Sequence, residues 1–231
     1  MSGPRRGVWF EEQPPPRKPR LSRERIVTAA VGLLDAEGVE GFSMRRLAAR
    51  LDAGVMSLYE YARGREDVLD LALDAVLDEV PLDASGAANW RAALTVRLRH
   101  FRRLMRRHPW MPVLIGTRPL LGPNALARSE RTYTDLVGAG LTGPALVAAV
   151  SALTDYTHGF ATTENSWHSW IRDPADDSRL RDQAQRHIAE HADRYPTLHR
   201  HARLDDADFD GGFDLGLKII LDGIQAQLPT G

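Results

Sequence analysis

The chain contains no cysteine. That excludes disulfides, zinc–thiolate sites and cysteine nucleophiles, and it fits a reducing compartment. No apolar run approaches the roughly 20 residues needed to span a bilayer. The opening stretch MSGPRRGVWFEEQPPPRKPR has no apolar core of signal-peptide length. A soluble, cytoplasmic protein without a membrane partner is the expectation. Also lacking are a Gly-rich phosphate loop, a nucleophile elbow and a paired His-Glu zinc signature. Nothing specific therefore points to an enzyme or to a cofactor. Strand alternation and internal repeats are missing too, which leaves helical periodicity as the pattern to read.

Hydrophobic residues make up 43% of the 231, enough for a buried core. The formal net charge is -1, and its distribution is more informative than its sum. Between Arg17 and Arg65 ten basic residues stand against six acidic ones, and a run of acids from Glu66 to Glu79 follows. A local basic patch on a neutral chain suits a small DNA-reading module, because phosphate contacts supply most of the attraction.

Residues 1–20 are rich in Pro, Gly and Arg and read as a flexible basic arm. Ser22 is a natural N-cap for a first helix over about Arg23 to Glu37, stopped by Gly38. A second helix follows the cap at Ser43 and ends near Leu51. Asp52, Ala53 and Gly54 make a break, and a third helix spans about Val55 to Tyr61. A fourth begins near Glu66 and turns Val68, Leu69, Ala72, Leu73, Val76 and Leu77 inward. After a linker from Pro81 to Ala88, further helices are expected over Trp90–His108, Asn124–Val137, Ala145–Trp170, Asp176–Arg194 and Phe209–Leu228. The fold class is all-α, with a three-helix helix-turn-helix unit over 21–80 and a larger helical domain over 89–231.

Two short helices joined by a tight turn and braced by a third suit a helix-turn-helix, whose second short helix enters the major groove. Leu58 anchors that helix. Gly54, Val55, Ser57 and Tyr61 are left to face outward. Tyr59 can reach a phosphate with its hydroxyl, and Arg65, at the start of the next helix, with its charge.

The order Ser43, Arg45, Leu47, Ala48, Leu51, then Leu58, Tyr59, Tyr61, Arg65, Val68 and Leu69 resembles the DNA-binding domain of the tetracycline-repressor (TetR) family of bacterial transcription regulators. Asp52 and Ala53 stand where that family usually has Gly-Val, and Asp tolerates left-handed backbone better than most residues. The resemblance implies that Arg45 can reach a base edge and that Ser43, Tyr59 and Arg65 contact phosphates. It also implies that Val55, Met56, Ser57 and Tyr61 read bases. The arm residues Arg17, Lys18 and Arg20 can add minor-groove or phosphate contacts. For any one of these residues alone, a solvated or core-edge position is the simpler reading; the ordered set carries the inference.

The C-terminal region is similar to the family's regulatory domain. This similarity implies a homodimer through the helices at about 145–170 and 209–228, binding a palindromic operator in double-stranded DNA. It also implies a small-molecule effector that releases the DNA, and hence a repressor. Small residues Ala148, Ala149, Ala152 and Gly159 permit close helix packing in such an interface. Candidate effector contacts are Phe101, Met105, Trp110, Leu114, Tyr133, His158, Thr162 and Trp167; ordinary core and dimer packing is the competing reading of each.

His187 and His191 lie four apart and can chelate a metal, though a solvated polar face explains them as well. The arginines at 97, 99, 102, 103, 106 and 107 can bind an acidic effector or DNA, or pair with carboxylates, for which the acidic fourth helix is a candidate. Two rival functions stay open: an all-α enzyme or carrier that uses the motif only for packing, and an activator or ligand-independent regulator.

Overall fold

A computed structural model describes residues 21–83, 86–171, 173–204 and 208–229. The expected arm contacts Arg17, Lys18 and Arg20 lie outside these residues. All regular elements among the described residues are helices. The N-terminal ones are α1 (Arg23–Gly41), α2 (Met44–Arg50), α3 (Val55–Leu58) and α4 (Arg65–Leu77). The rest are α5 (Trp90–Arg107), α6 (Met111–Ile115), α7 (Pro123–Gly138), α8 (Gly143–Trp170), α9 (Pro174–Glu190), α10 (Pro196–His201) and α11 (Phe209–Gln225).

The caps follow the sequence. The Ser22 hydroxyl accepts from Arg25 N at 3.2 Å, and that of Ser43 from Arg46 N at 3.2 Å. Asn89 Oδ1 accepts from Ala92 N at 3.0 Å, which starts α5 after the linker. Each satisfies one of the orphan donors at a helix start. Gly38 breaks α1 with φ 69, and one more turn runs on to Gly41 before Phe42 is buried. Asp52 takes φ 49 in the turn between α2 and α3. The left-handed turn therefore forms without glycine.

Three elements differ from the sequence reading. The third helix is a single turn, after which Tyr61 N and Ala62 N both bond to Leu58 O. So short a helix has no cooperative hydrogen bonding to hold it; burial of Leu58 and Ala62 holds it instead. The helices α6 and α10 form in proline-containing stretches for which no helix is expected from the sequence. Proline costs little at a helix start, where its missing N–H has no partner to lose.

Two apolar clusters organise the chain. One joins Ile26, Leu34, Leu47, Leu58, Val68 and Leu69 to Met105, Trp110, Met111 and Leu114 from α5 and α6. The core of the helix-turn-helix thus continues into the C-terminal region. The second gathers Leu94, Leu98, Leu136, Leu153, Phe213 and Leu217 from α5, α7, α8 and α11. Between α8 and α11, Gly216 lets the Tyr156 ring lie against bare backbone, where a Cβ would collide with the hydroxyl.

The Asp52 turn makes a stability prediction. Asp52→Val is expected to lower the unfolding free energy by about 1–2 kcal/mol, the cost of left-handed backbone on a branched residue. Asp52→Gly should stay within about 1 kcal/mol of the parent. Urea denaturation followed by circular dichroism separates the two.

Candidate nucleic-acid interface and internal cavity

The α3 turn presents its outer side to solvent. Met56 is 77% exposed, and Gly54, Tyr59 and Tyr61 are exposed beside it. Val55 and Ser57 are half-buried, while Leu58 is sealed in the core beneath them. A large apolar side chain held out in water on a helix of one turn is poorly explained by folding. A thymine methyl in a major groove is a partner it suits. On α2, Arg45 is exposed and has no hydrogen-bond or ion-pair partner among the described residues, so its fork is available for a base edge or phosphate. Its neighbour Arg46 is committed to Glu37 and to the Gly41 carbonyl.

Two of the expected DNA contacts also work inside the protein. The Tyr61 hydroxyl donates to Leu21 O at 3.0 Å and ties the start of the fold to the turn after α3. Arg65 donates to Val39 O at 2.9 Å, Phe42 O at 3.4 Å and Glu66 at 2.8 Å, and it lies over the Phe42 ring. It therefore satisfies the carbonyls at the end of α1 and sets where α4 begins. Arg65, and after it Arg118, hold the Glu66 carboxyl below its ordinary range. Ser43 spends its oxygen on its cap and keeps a hydroxyl proton to donate.

A cavity of about 300 Å³ lies among α5, α6, α7 and α8 and reaches the end of α4. Leu98, Phe101, Ile115 and Leu120 supply its apolar wall, and Arg97, Arg128, Thr132, Thr154 and His158 its polar groups. A wider cleft of about 420 Å³ opens between α4 and the segment before α7. It is lined by charged surface groups such as Asp67 and Asp70 and encloses less. The smaller cavity has the apolar wall with a few convergent polar groups that small-molecule sites share.

Of the eight expected effector contacts, Phe101 and His158 line this cavity. Met105, Trp110 and Leu114 sit in the core that joins α5 and α6 to α1 and α4. Tyr133 is half-buried on α7, Thr162 is exposed on α8, and Trp167 donates to Asp177 at 2.8 Å. Aromatic character alone does not distinguish a cavity wall from a domain joint. Arg128 and Thr132 carry no sequence signal at all, since both belong to an ordinary polar helix pattern. Arg97 was visible only as one arginine in a run.

That run is resolved by its partners. Arg97 pairs with Asp135, Arg99 with Asp214 at 2.7 Å, and Arg107 with Glu79 at 2.8 Å. Arg102 forms a buried two-pronged pair with Glu164 at 2.7 and 2.8 Å. The carboxylates thus come mostly from α7, α8 and α11 rather than from the acidic α4. The acids of α4 have other work. Glu66 and Asp70 bind Arg118, and Asp74 accepts from Ala125 N at 3.0 Å at the start of α7.

His187 and His191 stand with Glu190 on α9, their ligating atoms within 4.8 Å of one another. His187 and Glu190 are exposed, and the His191 Nδ1 faces the His187 carbonyl at 2.9 Å. Among the described residues no helix is long and apolar enough to cross a membrane.

Comparison with known proteins gives one answer along the chain. Residues 26–72 match the family model of bacterial regulatory proteins, tetR family, and residues 81–228 that of the tetracyclin repressor-like C-terminal domain. An HTH-type transcriptional regulator of Saccharopolyspora erythraea is 39% identical, over 95% of this chain and 91% of its own. The HTH-type transcriptional repressor DrrR1 of Streptomyces coeruleorubidus is 39% identical, over 94% and 83%. The crystal structure of the TetR family protein ActR of Streptomyces coelicolor, in complex with actinorhodin, superposes with a TM-score of 0.81 at 31% identity, covering 92% of this chain and all of that one. These relatives are regulators, not enzymes, and the reading as a helical enzyme falls.

The two arginines on the reading face are expected to behave differently. Arg65→Ala should cost about 1–3 kcal/mol of stability by orphaning the α1 carbonyls, whereas Arg45→Ala should stay within about 0.5 kcal/mol. Paired denaturation curves read this without any DNA present.

Proposed function

The chain belongs to the TetR family of bacterial transcription regulators, and we propose that it represses by holding a palindromic operator as a homodimer until a small molecule fills the cavity beside α4. Residues 21–80 serve as the DNA-binding domain, 89–231 as the regulatory and dimerisation domain, and 1–20 as a basic arm; the protein works in the cytoplasm. Arg45, Met56, Val55, Ser57 and Tyr61 meet bases. Ser43, Gly54, Tyr59 and Arg65 meet the backbone, with Arg17, Lys18 and Arg20 following a groove. One reading helix covers too few base pairs for a unique site, and two-fold symmetry doubles it.

The observation that carries this reading is the position of α4. Its first residue, Arg65, ties it to the end of α1 beside the reading face, and its last, Leu77, lines the cavity. A helix of 13 residues is a rod of about 20 Å. A ligand that moves the Leu77 end swings the reading helices apart or together. Two reading helices off their spacing no longer fit successive major grooves, so the ligand shifts the population toward the unbound form.

Dimerisation through α8 and α11 is supported by what their outer faces expose. Leu215 and Ile219 on α11 are 60% and 63% exposed. Ala148, Ala152 and Gly159 on α8 are exposed small residues that allow close approach. The actinorhodin complex of ActR supports a small-molecule site in a protein of this shape.

Selection of bound duplexes from a random pool tests the reading. A palindromic consensus is expected, weakened as salt rises and lost with Tyr59→Ala. Ile219→Glu is expected to sediment as a monomer and to bind the selected duplex at least about tenfold more weakly. A one-sided consensus, or a monomeric parent protein, would overturn the dimeric reader.

A further inference from the structure

Two arginines lining the cavity carry buried N–H groups that no acceptor takes. Arg97 is 7% exposed; its Nη2 pairs with Asp135, while its Nη1 is buried without a partner. Arg128 gives Nη2 to the carbonyls of Leu77 and Val80, and its Nε is buried without a partner. Carbonyl dipoles do not neutralise a guanidinium, and no carboxylate is ion-paired with Arg128 among the described residues. Burial drags its pKa below the ordinary range, with Asp78 opposing and Arg97 assisting.

The other charged and polar groups around the cavity do not supply the missing acceptor. Asp135 is already held by Arg97 and, at 3.6 Å, by Arg131. Asp155 lines the cavity but is exposed, so water solvates it. The His158 Nε2 lies 2.9 Å from Pro112 O. Two arginines with orphan donors, one of them without an ion-paired carboxylate, therefore line the cavity beside its apolar wall. Burying a charge or a donor unpaired is costly, and an oxygen anion with lone pairs to spare relieves both costs at once.

We infer that the effector is an apolar small molecule bearing a carboxylate, which Arg97 and Arg128 take between them. This rests on the cavity being the effector site. It adds a reason why binding is felt by the DNA reader. Arg128 is the group that holds the last carbonyl of α4 and that of Val80 just beyond it, so a carboxylate drawing on that guanidinium competes for the bonds that fix the end of α4. Charge on the ligand is thus coupled directly to the rod that carries the reading helices.

Calorimetry on the full-length protein tests this with 2-naphthoate and 2-anthracenecarboxylate against their primary amides. Each acid is expected to bind at least about tenfold more tightly than its amide. Arg97→Met and Arg128→Met should abolish that preference, leaving each acid no tighter than its amide. Should loss of the Asp135 pair unfold Arg97→Met, Arg97→Lys keeps the pair, and the preference should still fall. Amides that match the acids, or a preference that survives these substitutions, would overturn the assignment. If neutral anthraquinone binds and releases DNA while neither acid binds, the carboxylate is wrong and the effector cavity stands. If none of the three classes binds, both readings fall.

Discussion

A single carboxylate oxygen joins the two halves of this molecule. Asp35 Oδ1, on α1, accepts from Trp110 Nε1 and from His108 Nδ1, each at 2.6 Å. Both donors are almost wholly buried at the corner between α5 and α6. If α1 were to slide away, two buried polar groups would lose their acceptor together, a penalty of several kcal/mol at about 1–3 each. The apolar cluster around this bond is continuous from Ile26 to Leu114. The DNA-reading unit is therefore pinned to the rest of the chain at α1 by polar bonds as well as by the apolar core.

The α4 side shares that apolar cluster, through Val68, Leu69, Leu73 and Leu77, and adds polar links. These run through long flexible arginines and one aspartate: Arg118 to Glu66 and Asp70, Arg128 to Leu77 and Val80, Asp74 to the start of α7. Such contacts can be exchanged one by one, whereas an interlocked apolar core resists continuous deformation. Lys18 and Lys218 are the only lysines in the chain, and the cation in each of these ionic links is an arginine. A planar fork can serve two or three acceptors at once, as Arg65, Arg102 and Arg128 do, where an ammonium acts as a point charge.

The buried Arg102–Glu164 pair belongs to the same economy. It crosses from α5 to α8, and Arg102 continues to Asp210 at 2.8 Å and lies over the Phe213 ring at 4.9 Å. Pairs of this kind add less to stability than their geometry suggests, because desolvation offsets attraction. Their value here is register. A shift of α8 against α5 strands a buried charge, so the two helices keep one register.

The amino-acid sequence by itself determined the helical class, the caps at Ser22 and Ser43, the inward face of α4 and the short helix anchored by Leu58. Each of these is a local matter, set by spacing, capping chemistry and burial of one face, and each is readable in a window of a few residues. It also determined the left-handed turn at Asp52, since that residue type tolerates the conformation. Tertiary structure decided which aromatic residues became joint and which became cavity wall: Trp110 and Met105 turned to α1, Phe101 and His158 to the cavity. It decided that Arg65 closes α1 and that Arg97 and Arg128 share a cavity with unpaired donors. The reason is range. A helix pattern says which face is buried but not what it is buried against, and the partner of an arginine is chosen among carboxylates and carbonyls brought close only when distant helices pack.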